Sequence, residues 1–484
     1  MKRRLLQVAA LAAVAHARLL LPATPPAGTN TFMSYNFEDL NSTSLPALAR
    51  EAAASPLAGA LFENFVVDGG WSISMINGTA MQNLDGYGRP VPAPERFPGD
   101  SMLQIATYAS TLGLRFGLWA IRGVHVDAVA RKLPIKGMEQ YTLDQIVDSQ
   151  PAGGGKNGSC LWASQWLGVN TSHPAAQAYY DSVVEQLVEN LGARLIKGDC
   201  FFCRPCYSDE MLAFTAAVRA RPEPVMLYYS PGGGALVSDG EWAASNAVAS
   251  FYRTITDFDS GDWYDWGGLQ QAFFIAGNFS NAGLTGGSNR TIADLDMLPM
   301  DGNWWGDNSP TEKLDRGQTI CSLWMMGRYP LFYAGALPID QRTLSYLTNP
   351  LALALNRRAD VPGVPTRVSY RGNCTCTGEP GSCTIPHGPG DHPAQPCVAA
   401  WVAAVPATEA PAWTALMLSD IGEDSASTST SFADLGLPAD PAARYSVIDI
   451  WTGESVPPGS FSGADSIDLS LRPHASALLR IAAL

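Results

Sequence analysis

Segments with the pattern of β-strands and of α-helices alternate from about Asn30 to Ala359, and this alternation limits the possible folds more than any other feature. Eight short apolar segments end in polar residues or glycine, as buried strands do: Thr31–Tyr35, Leu61–Asp68, Leu114–Trp119, Leu195–Asp199, Val225–Tyr229, Val248–Arg253, Ile292–Leu298 and Pro330–Ala334. Helical patterns lie between several of them: Asp100–Leu112, Pro174–Asn190 and Thr311–Met326. The α/β fold class predicted from this order is a (β/α)8 TIM barrel. A doubly wound sheet is the competing architecture, but no Gly-x-Gly-x-x-Gly follows the first strand.

The pattern changes after the Pro- and Gly-containing stretch Asp360–Pro365. Beyond it, short β-rich segments recur with turn residues between them: Thr366–Tyr370, Val398–Ala403, Trp413–Leu418, Tyr445–Trp451, Ser466–Leu471 and Ala475–Ile481. We therefore expect a barrel domain over residues 18–359 and a C-terminal antiparallel β-sandwich domain over residues 360–484.

Residues 1–17 have the features of a secretory signal peptide. Lys2, Arg3 and Arg4 precede an apolar run, and Ala15-His16-Ala17 is a small-residue cleavage pattern. Seven Asn-x-Ser/Thr sequons and nine cysteines also suit the secretory pathway. We expect a glycoprotein that is extracellular or vacuolar-lysosomal, with no membrane attachment once the signal is removed.

Four cysteines, Cys374, Cys376, Cys383 and Cys397, cluster in a Gly- and Pro-rich segment and are expected to form two disulfides of open connectivity. Zinc is the alternative for these four and for Cys203 and Cys206, but the chain has only six histidines and a secretory start. We therefore expect no metal and no cofactor. Cys321, on a predicted helix, is expected to be a buried free thiol.

The net charge of the chain argues against one class of partner. The formal net charge of −14 is unsuited to a nucleic-acid phosphate backbone, so we expect no nucleic-acid partner.

The predicted strand Leu195–Asp199 carries a lysine and an aspartate near its end. The side chains of Lys197 and Asp199 are two residues apart and point to the same side of the strand. A cation beside an aspartate keeps the carboxylate ionised, as a carboxylate nucleophile requires, although structural ion pairs of this kind are also common.

Carboxylates and aromatic side chains gather at the carboxyl ends of the predicted strands, which is where TIM barrels place their active sites. These strand ends carry Tyr35, Asp68, Trp119, Asp199, Tyr229-Ser230, Arg253 to Asp257, and Asp294 to Asp296. Carboxylates and a lysine suit sugar hydroxyls, and aromatic faces suit the C–H side of a sugar ring. Two carboxyl groups about 5–5.5 Å apart would give retaining glycoside hydrolysis.

At these positions the chain resembles the α-galactosidase (melibiase) family, glycoside hydrolase family 27, and especially its plant and bacterial branch with β-L-arabinopyranosidase-like members. The resemblance extends from about Thr31 to Ala359, more weakly into the C-terminal domain, and depends on six motifs in the family's order. These motifs are Asp68-Gly69-Gly70-Trp71, Asp85 to Gly117, Lys197-Gly198-Asp199-Cys200, Arg253 with Asp257, Asp294 to Leu298, and Ser322 to Leu331.

The resemblance implies a retaining exo-glycosidase with Asp199 as nucleophile and Asp257 as general acid/base. It implies that Lys197, Arg253 and Asp68 bind sugar hydroxyls and that Tyr35 and Trp119 line the pocket. It also implies a Cys160–Cys200 disulfide, for which the alternative is a pairing among Cys200, Cys203 and Cys206. The expected partner is an oligosaccharide or polysaccharide with terminal galactose or arabinopyranose.

Three departures from the family pattern bear on the substrate. Gly69 replaces a carboxylate expected at the O4/O6 side of galactose, and family members that prefer β-L-arabinopyranose also lack it. Gly198 replaces an aromatic residue or histidine, which is expected to loosen the pocket wall, and Ser230 replaces a Glu directed at the 2-hydroxyl. The resemblance, with these departures, therefore implies an α-D-galactosidase or β-L-arabinopyranosidase. The alternatives are an α-N-acetylgalactosaminidase and a non-catalytic carbohydrate-binding protein on the same scaffold.

Overall fold

The computed structural model describes residues 19–148, 158–160, 162–201, 207–230, 237–255, 257, 266–285, 291–298, 300, 310–357, 367–372, 374, 397–405, 412–422 and 424–484. The chain forms two compact units: Gly28–Gly233 with Asn246–Arg253 makes up most of the first, and Thr254–Leu484 most of the second. The predicted signal segment 1–17 lies outside the described residues.

The first unit is built on short parallel strands that are buried over most of their length. They are β1 (Ala27–Asn30), β2 (Asn64–Val67), β3 (Arg115–Ile121), β4 (Leu195–Asp199), β5 (Met226–Ser230) and β6 (Phe251–Arg253). Each pairs in parallel with the next, in registers such as Gly28↔Asn64, Ile196↔Leu118 and Asp199↔Ser230. Parallel strands covered on both faces need nearly continuous apolar sequences, which explains why the pattern revealed them.

Helices of the first unit connect these strands: α1 (Ser44–Ala54), α2 (Ser101–Thr111), α3 (Val126–Ala130), α4 (Ala176–Glu185) and α5 (Ser208–Arg219). The last turn of the predicted Pro174–Asn190 helix is a π-helical segment, Gln186–Asn190. The first unit also contains short pairs of antiparallel strands: Ile73–Ile76 with Thr79–Gln82, Val124–His125 with Trp166–Leu167, and Pro134–Ile135 with Met138–Thr142.

The second unit adds β7 (Ile292–Asp294) and β8 (Leu331–Tyr333), so the described residues contain an eight-stranded parallel sheet. Its helices are α6 (Val237–Asn246, whose last residue belongs to the first unit), α7 (Trp266–Asn281), α8 (Pro310–Met326), α9 (Gln341–Leu347) and α10 (Pro350–Asn356). The predicted (β/α)8 fold class is confirmed. None of the helices among the described residues is long and apolar enough to cross a membrane.

The first strand differs from its prediction. It ends at Asn30, whereas the pattern placed it at Thr31–Tyr35, so Tyr35 lies in the following loop. The side chain of Asn30 accepts a hydrogen bond from the N–H of Phe32 at 2.8 Å, which turns the chain away from the extended direction. The other seven predicted strands each overlap an observed strand of the sheet.

The C-terminal part of the second unit is antiparallel, as predicted. Its strands are β9 Arg367–Gly372, β10 Cys397–Val405, β11 Trp413–Asp420, β12 Ala426–Ser431, β13 Arg444–Asp449, β14 Phe461–Ser462, β15 Ser466–Leu471 and β16 Ser476–Ala483. One sheet has the order β9-β10-β11-β16-β13-β14, and β12 pairs with β15. Residues from both sheets share an apolar cluster around Phe432, whose ring stacks on Tyr445 at 4.5 Å. The division at residues 359/360 stays a prediction, since the second unit also includes β7 and β8.

The described cysteines bear out part of the predicted pairing in the C-terminal segment. Cys374 and Cys397 form a disulfide, and Cys321 is a buried free thiol as expected. Cys376 and Cys383, the other two of the predicted four, lie outside the described residues.

Asp420, the last residue of β11, is a fully buried carboxyl group. Burial raises the pKa of Asp420 from 3.8 to about 6, although backbone N–H groups, among them that of Gly422, act in the opposite direction. The folded state therefore binds this proton more tightly than the unfolded state does. The resulting contribution to stability is fully present below about pH 4 and is lost as the pH rises through about 6.

We expect Asp420→Asn to raise the free energy of unfolding at about pH 7.5 by about 1–2 kcal/mol, because the amide cannot ionise, and to change it little at about pH 4. Urea denaturation at both pH values measures this difference. Asp468→Asn, an exposed carboxylate on β15, is the control. A difference between Asp420→Asn and the wild type that is the same at both pH values would contradict the assignment.

Candidate active site

The carboxylate of Asp199 is partly exposed at the end of β4, and both of its oxygens accept hydrogen bonds from N–H groups. The indole Nε1 of Trp119 donates to Oδ2 at 3.0 Å, and the backbone N–H of Cys200 donates to Oδ1 at 2.7 Å. Trp119 comes from β3, the neighbouring strand. Two donors on different oxygens fix the plane of the carboxylate as well as its position.

Lys197 lies two residues earlier on β4 and forms a buried ion pair with a different carboxylate. Its Nζ is 2.8 Å from Oδ2 of Asp68, and both side chains are about 3% exposed. The same oxygen accepts a hydrogen bond from the side-chain amide of Asn30 at 2.7 Å. Asp68 Oδ1 accepts the N–H of Gly69 at 2.8 Å, so both oxygens are satisfied and the buried charges are compensated.

Aromatic side chains surround these polar groups. Lys197 Nζ lies 5.6 Å from the ring centre of Phe32 and 5.9 Å from that of Tyr228. The rings of Trp119 and Trp162 are 6.5 Å apart, and Trp162 is exposed. A partly exposed tryptophan beside a fixed carboxylate is suited to a sugar ring, which presents hydroxyls at its edge and C–H groups on its faces.

Ser230 is the residue directly opposite Asp199 on β5, so the two side chains leave the sheet on the same side. Its hydroxyl is fully buried and has no hydrogen-bond partner in the described structure. An unsatisfied buried hydroxyl is costly, and a ligand hydroxyl would satisfy it. Arg253, buried at the end of β6, is on the next strand of the sheet.

Two predicted site residues lie outside regular structure. Tyr35 is partly exposed in the loop after β1, and Asp257 is exposed and belongs to the second unit.

Five of the predicted site residues do come together on one side of the sheet of the first unit: Asp68, Trp119, Lys197, Asp199 and Ser230.

Gly69 and Gly198, the two glycines that depart from the family pattern, have different surroundings. A Cβ atom on Gly69 would lie 3.7–3.9 Å from the Trp119 ring, which is ordinary contact, so a side chain fits there. A Cβ on Gly198 would lie 3.2 Å from the rings of Phe201 and Tyr229. Gly198 therefore does not open the pocket wall as expected, because these two rings, 4.8 Å apart, occupy the adjacent space.

The predicted Cys160–Cys200 disulfide is present, and it ties the residue after Asp199 to the segment before Trp162. Cys200 has a φ of +62°, which is strained for a residue with a side chain. No group of three or more His, Cys, Asp or Glu side chains in the described ranges is arranged to hold a metal ion.

Sequence reasoning missed two residues of this region. Asn30 was assigned to no site, because the first strand was predicted to end five residues later. Arg122 directly follows β3, and a lone arginine after a strand carries no pattern that separates it from an ordinary surface residue. Its side chain is fully buried.

Comparisons with known proteins match one part of the chain to a family model and the whole chain to solved structures. Residues 406–481 match the family model of the α-galactosidase C-terminal β-sandwich domain. No curated protein sequence matches the chain. Among solved structures, the chain is similar to a family 27 β-L-arabinopyranosidase from Geobacillus stearothermophilus, with 25% identity, a TM-score of 0.75, and 96% of this chain and 97% of that chain covered.

A variant of the same Geobacillus enzyme in complex with arabinose matches with 25% identity, a TM-score of 0.75, and 96% of this chain and 98% of that chain covered. The chain also shares its fold with α-galactosidase I from Mortierella vinacea, with 16% identity, a TM-score of 0.65, and 96% of this chain and 98% of that chain covered. Together these matches confirm the resemblance indicated by the motifs.

We expect Lys197→Met to destabilise the protein by roughly 3–5 kcal/mol, because it leaves the Asp68 carboxylate buried without its cation. Lys136→Met is the matched control: Lys136 pairs with Glu185 at 2.6 Å, but both side chains are about one-third exposed, and the expected loss is at most about 1 kcal/mol. Urea denaturation measures both variants. Equal losses would show that the Lys197–Asp68 pair is not a buried pair of the folded protein.

Proposed function

Because the chain belongs to glycoside hydrolase family 27, and so to the glycosyl hydrolases, we propose that it is a retaining exo-glycosidase acting on terminal β-L-arabinopyranosides or α-D-galactopyranosides. The observation that carries the proposal is the Asp199 carboxylate, accessible at a strand end and held at both oxygens. A carboxylate nucleophile must be fixed and open to the substrate in this way.

The reaction proposed has two steps. Asp199 attacks the anomeric carbon, the bond to the leaving oxygen breaks, and Asp257 gives that oxygen its proton. Water then attacks the anomeric carbon of the glycosyl-enzyme ester, Asp257 takes the proton of this water, and Asp199 is released. The exposure of Asp257 supports this assignment, since an acid/base group must regain its protonation state between turnovers.

Sugar binding is proposed for the residues around Asp199. The ammonium group of Lys197 and the carboxylate of Asp68 supply donors and acceptors for hydroxyls, with Arg253 as a further donor and Trp119 and Tyr35 as apolar surface. The buried hydroxyl of Ser230, beside Asp199, would gain its missing hydrogen bond from the sugar.

Two observations favour the arabinopyranoside over the galactoside. Gly69 offers no carboxylate for the hydroxymethyl side of galactose, and the Geobacillus enzyme to which the chain is similar is a β-L-arabinopyranosidase. A site without a partner for a hydroxyl gains nothing from the sugar that carries it. A second candidate, an α-N-acetylgalactosaminide, is favoured only by the small side chain of Ser230.

We also propose that the enzyme is secreted or delivered to a vacuolar-lysosomal compartment and acts on oligosaccharides or polysaccharides. The signal-like residues 1–17 and the two disulfides of the described residues support an oxidising compartment. A non-catalytic sugar-binding protein is the poorer alternative, because binding alone gives no reason to keep the acid/base carboxylate of Asp257.

We expect Asp199→Asn to lower kcat on nitrophenyl β-L-arabinopyranoside and α-galactoside by at least about a thousandfold. Asp257→Asn should lose about 10²–10⁴-fold on a poor leaving group, such as a methyl glycoside. On a dinitrophenyl glycoside, which leaves without a proton, it should still release a first equivalent of dinitrophenol. Asp468→Asn is the control, and wild-type rates in either site variant would refute the mechanism.

We expect Gly69→Asp to raise the ratio of kcat/KM for α-galactoside over β-L-arabinopyranoside by about tenfold or more, because it restores a partner for the extra hydroxymethyl group. Gly69→Ala fills the same space without a carboxylate and should leave the ratio within about twofold. The measurement is steady-state kinetics on both nitrophenyl glycosides. If the two variants change the ratio equally, Gly69 does not determine the preference.

A further inference from the structure

Arg122 is a fully buried arginine whose hydrogen bonds converge on the residues at the end of β4. Its backbone N–H donates to the carbonyl oxygen of Asp199 at 3.1 Å, and its Nε donates to the carbonyl oxygen of Cys200 at 2.8 Å. One terminal nitrogen donates to the carbonyl oxygen of Gly158 at 2.6 Å. A single side chain thus joins the strand end to the loop that precedes Cys160.

The other terminal nitrogen of Arg122 forms an ion pair with Glu210, in the first turn of α5. Glu210 is 5% exposed and also accepts a hydrogen bond from the hydroxyl of Tyr180. The guanidinium group lies over the ring of Tyr207, 3.4 Å from its centre. Burying a guanidinium and a carboxylate is expensive unless each is fully satisfied, and a planar fork of five donors suits this set of acceptors.

The geometry links this network to the Asp199 carboxylate through one residue, Cys200. The N–H of Cys200 donates to Asp199 Oδ1, and Cys200 adopts its left-handed conformation while its carbonyl oxygen is held by Arg122. The other carboxylate oxygen is held by Trp119, which lies on β3, three residues before Arg122. Trp119 on β3 therefore supplies one restraint on the carboxylate, and Arg122, directly after β3, supports the other through Cys200.

We propose that Arg122, held by Glu210, is a positioning residue that orients the Asp199 carboxylate for attack. The inference rests on the proposed function, in which Asp199 is the nucleophile. Without the hydrogen bond from the Arg122 side chain to its carbonyl oxygen, Cys200 could relax from its left-handed conformation, and its N–H would shift away from Asp199. Two consequences follow for the Asp199 carboxylate: its direction of attack becomes less favourable, and its charged form is less stabilised.

A merely structural role makes a different prediction. Arg122 would then only connect the strand end, the Gly158 loop and α5, in a region that the Cys160–Cys200 disulfide already cross-links. Its replacement would lower the thermal stability and leave the chemistry of the remaining folded enzyme unchanged. Kinetics and pH dependence separate the two roles.

The test compares Arg122→Lys with Arg89→Lys, both in the full chain. Arg89 is also a buried arginine of the first unit, paired with Asp85 at 2.7 Å and bonded to the carbonyl oxygen of Ser182 at 3.2 Å. Lysine keeps the charge but cannot reproduce the fork of donors. Each variant is checked by circular dichroism and thermal unfolding, then assayed on nitrophenyl β-L-arabinopyranoside and α-galactoside across pH.

For Arg122→Lys we expect kcat to fall about 10- to 100-fold with KM within about threefold, since a small misplacement of a reacting group costs this much. The acidic limb of kcat/KM should move to higher pH, because the carboxylate loses a hydrogen bond that favours its charged form. Arg89→Lys should alter the melting temperature alone. Glu210→Gln, which keeps the shape of the side chain, should show the same two changes more weakly and replaces Arg122→Lys if that variant fails to fold.

Wild-type kcat and an unmoved acidic limb in a folded Arg122→Lys or Glu210→Gln variant would overturn the positioning role. Equal changes in the Arg122 and Arg89 variants would do the same. Failure of the proposed function is recognised separately, by an Asp199→Asn enzyme that is as active as the wild type.

Discussion

The ammonium group of Lys197 is buried, and much of the candidate site depends on the need to compensate its charge. Its partner is Asp68, at the end of another strand, and the Asp68 carboxylate in turn needs Asn30 at the end of β1. These three polar residues meet only when β1, β2 and β4 end at the same level of the sheet. The same register sets Asp199, two residues beyond Lys197, at the open edge beside Trp119.

The architecture could be predicted from the sequence because the relevant information is local. Buried parallel strands such as Leu195–Asp199 are short apolar runs, and their ends were correct to within a few residues. The first strand was misplaced because its end depends on one hydrogen bond, which the side chain of Asn30 accepts from the N–H of Phe32 in the following loop. The strand Ala426–Ser431 was missed because serine and threonine dominate it, and its pairing with β15 defines it rather than any apolar alternation.

The sequence indicated which residues belong to the candidate site, but not which of their side chains contact one another. The spacing of Lys197 and Asp199 indicated a lysine beside the nucleophile candidate, yet Lys197 forms its ion pair with Asp68, 129 residues earlier in the chain. Gly198 is expected from the sequence to loosen the pocket wall, whereas Phe201 and Tyr229 fill the space next to it. Such packing depends on side chains from separate elements, so no pattern along one segment can show it. The features that bear on the sugar are therefore Gly69 and Ser230, next to Trp119 and Asp199.

The Cys160–Cys200 disulfide has a practical consequence for how the protein is made. The bond joins the residue next to Asp199 to a cysteine 40 positions earlier, so the edge of the candidate site is completed by an oxidation as well as by folding. In a host cytoplasm kept reducing by glutathione and thioredoxin, Cys200 would remain a thiol in a strained left-handed conformation. Production of active protein therefore requires export to the periplasm or the endoplasmic reticulum. The yield of soluble protein from a reducing cytoplasm does not measure the amount of protein in which this disulfide has formed.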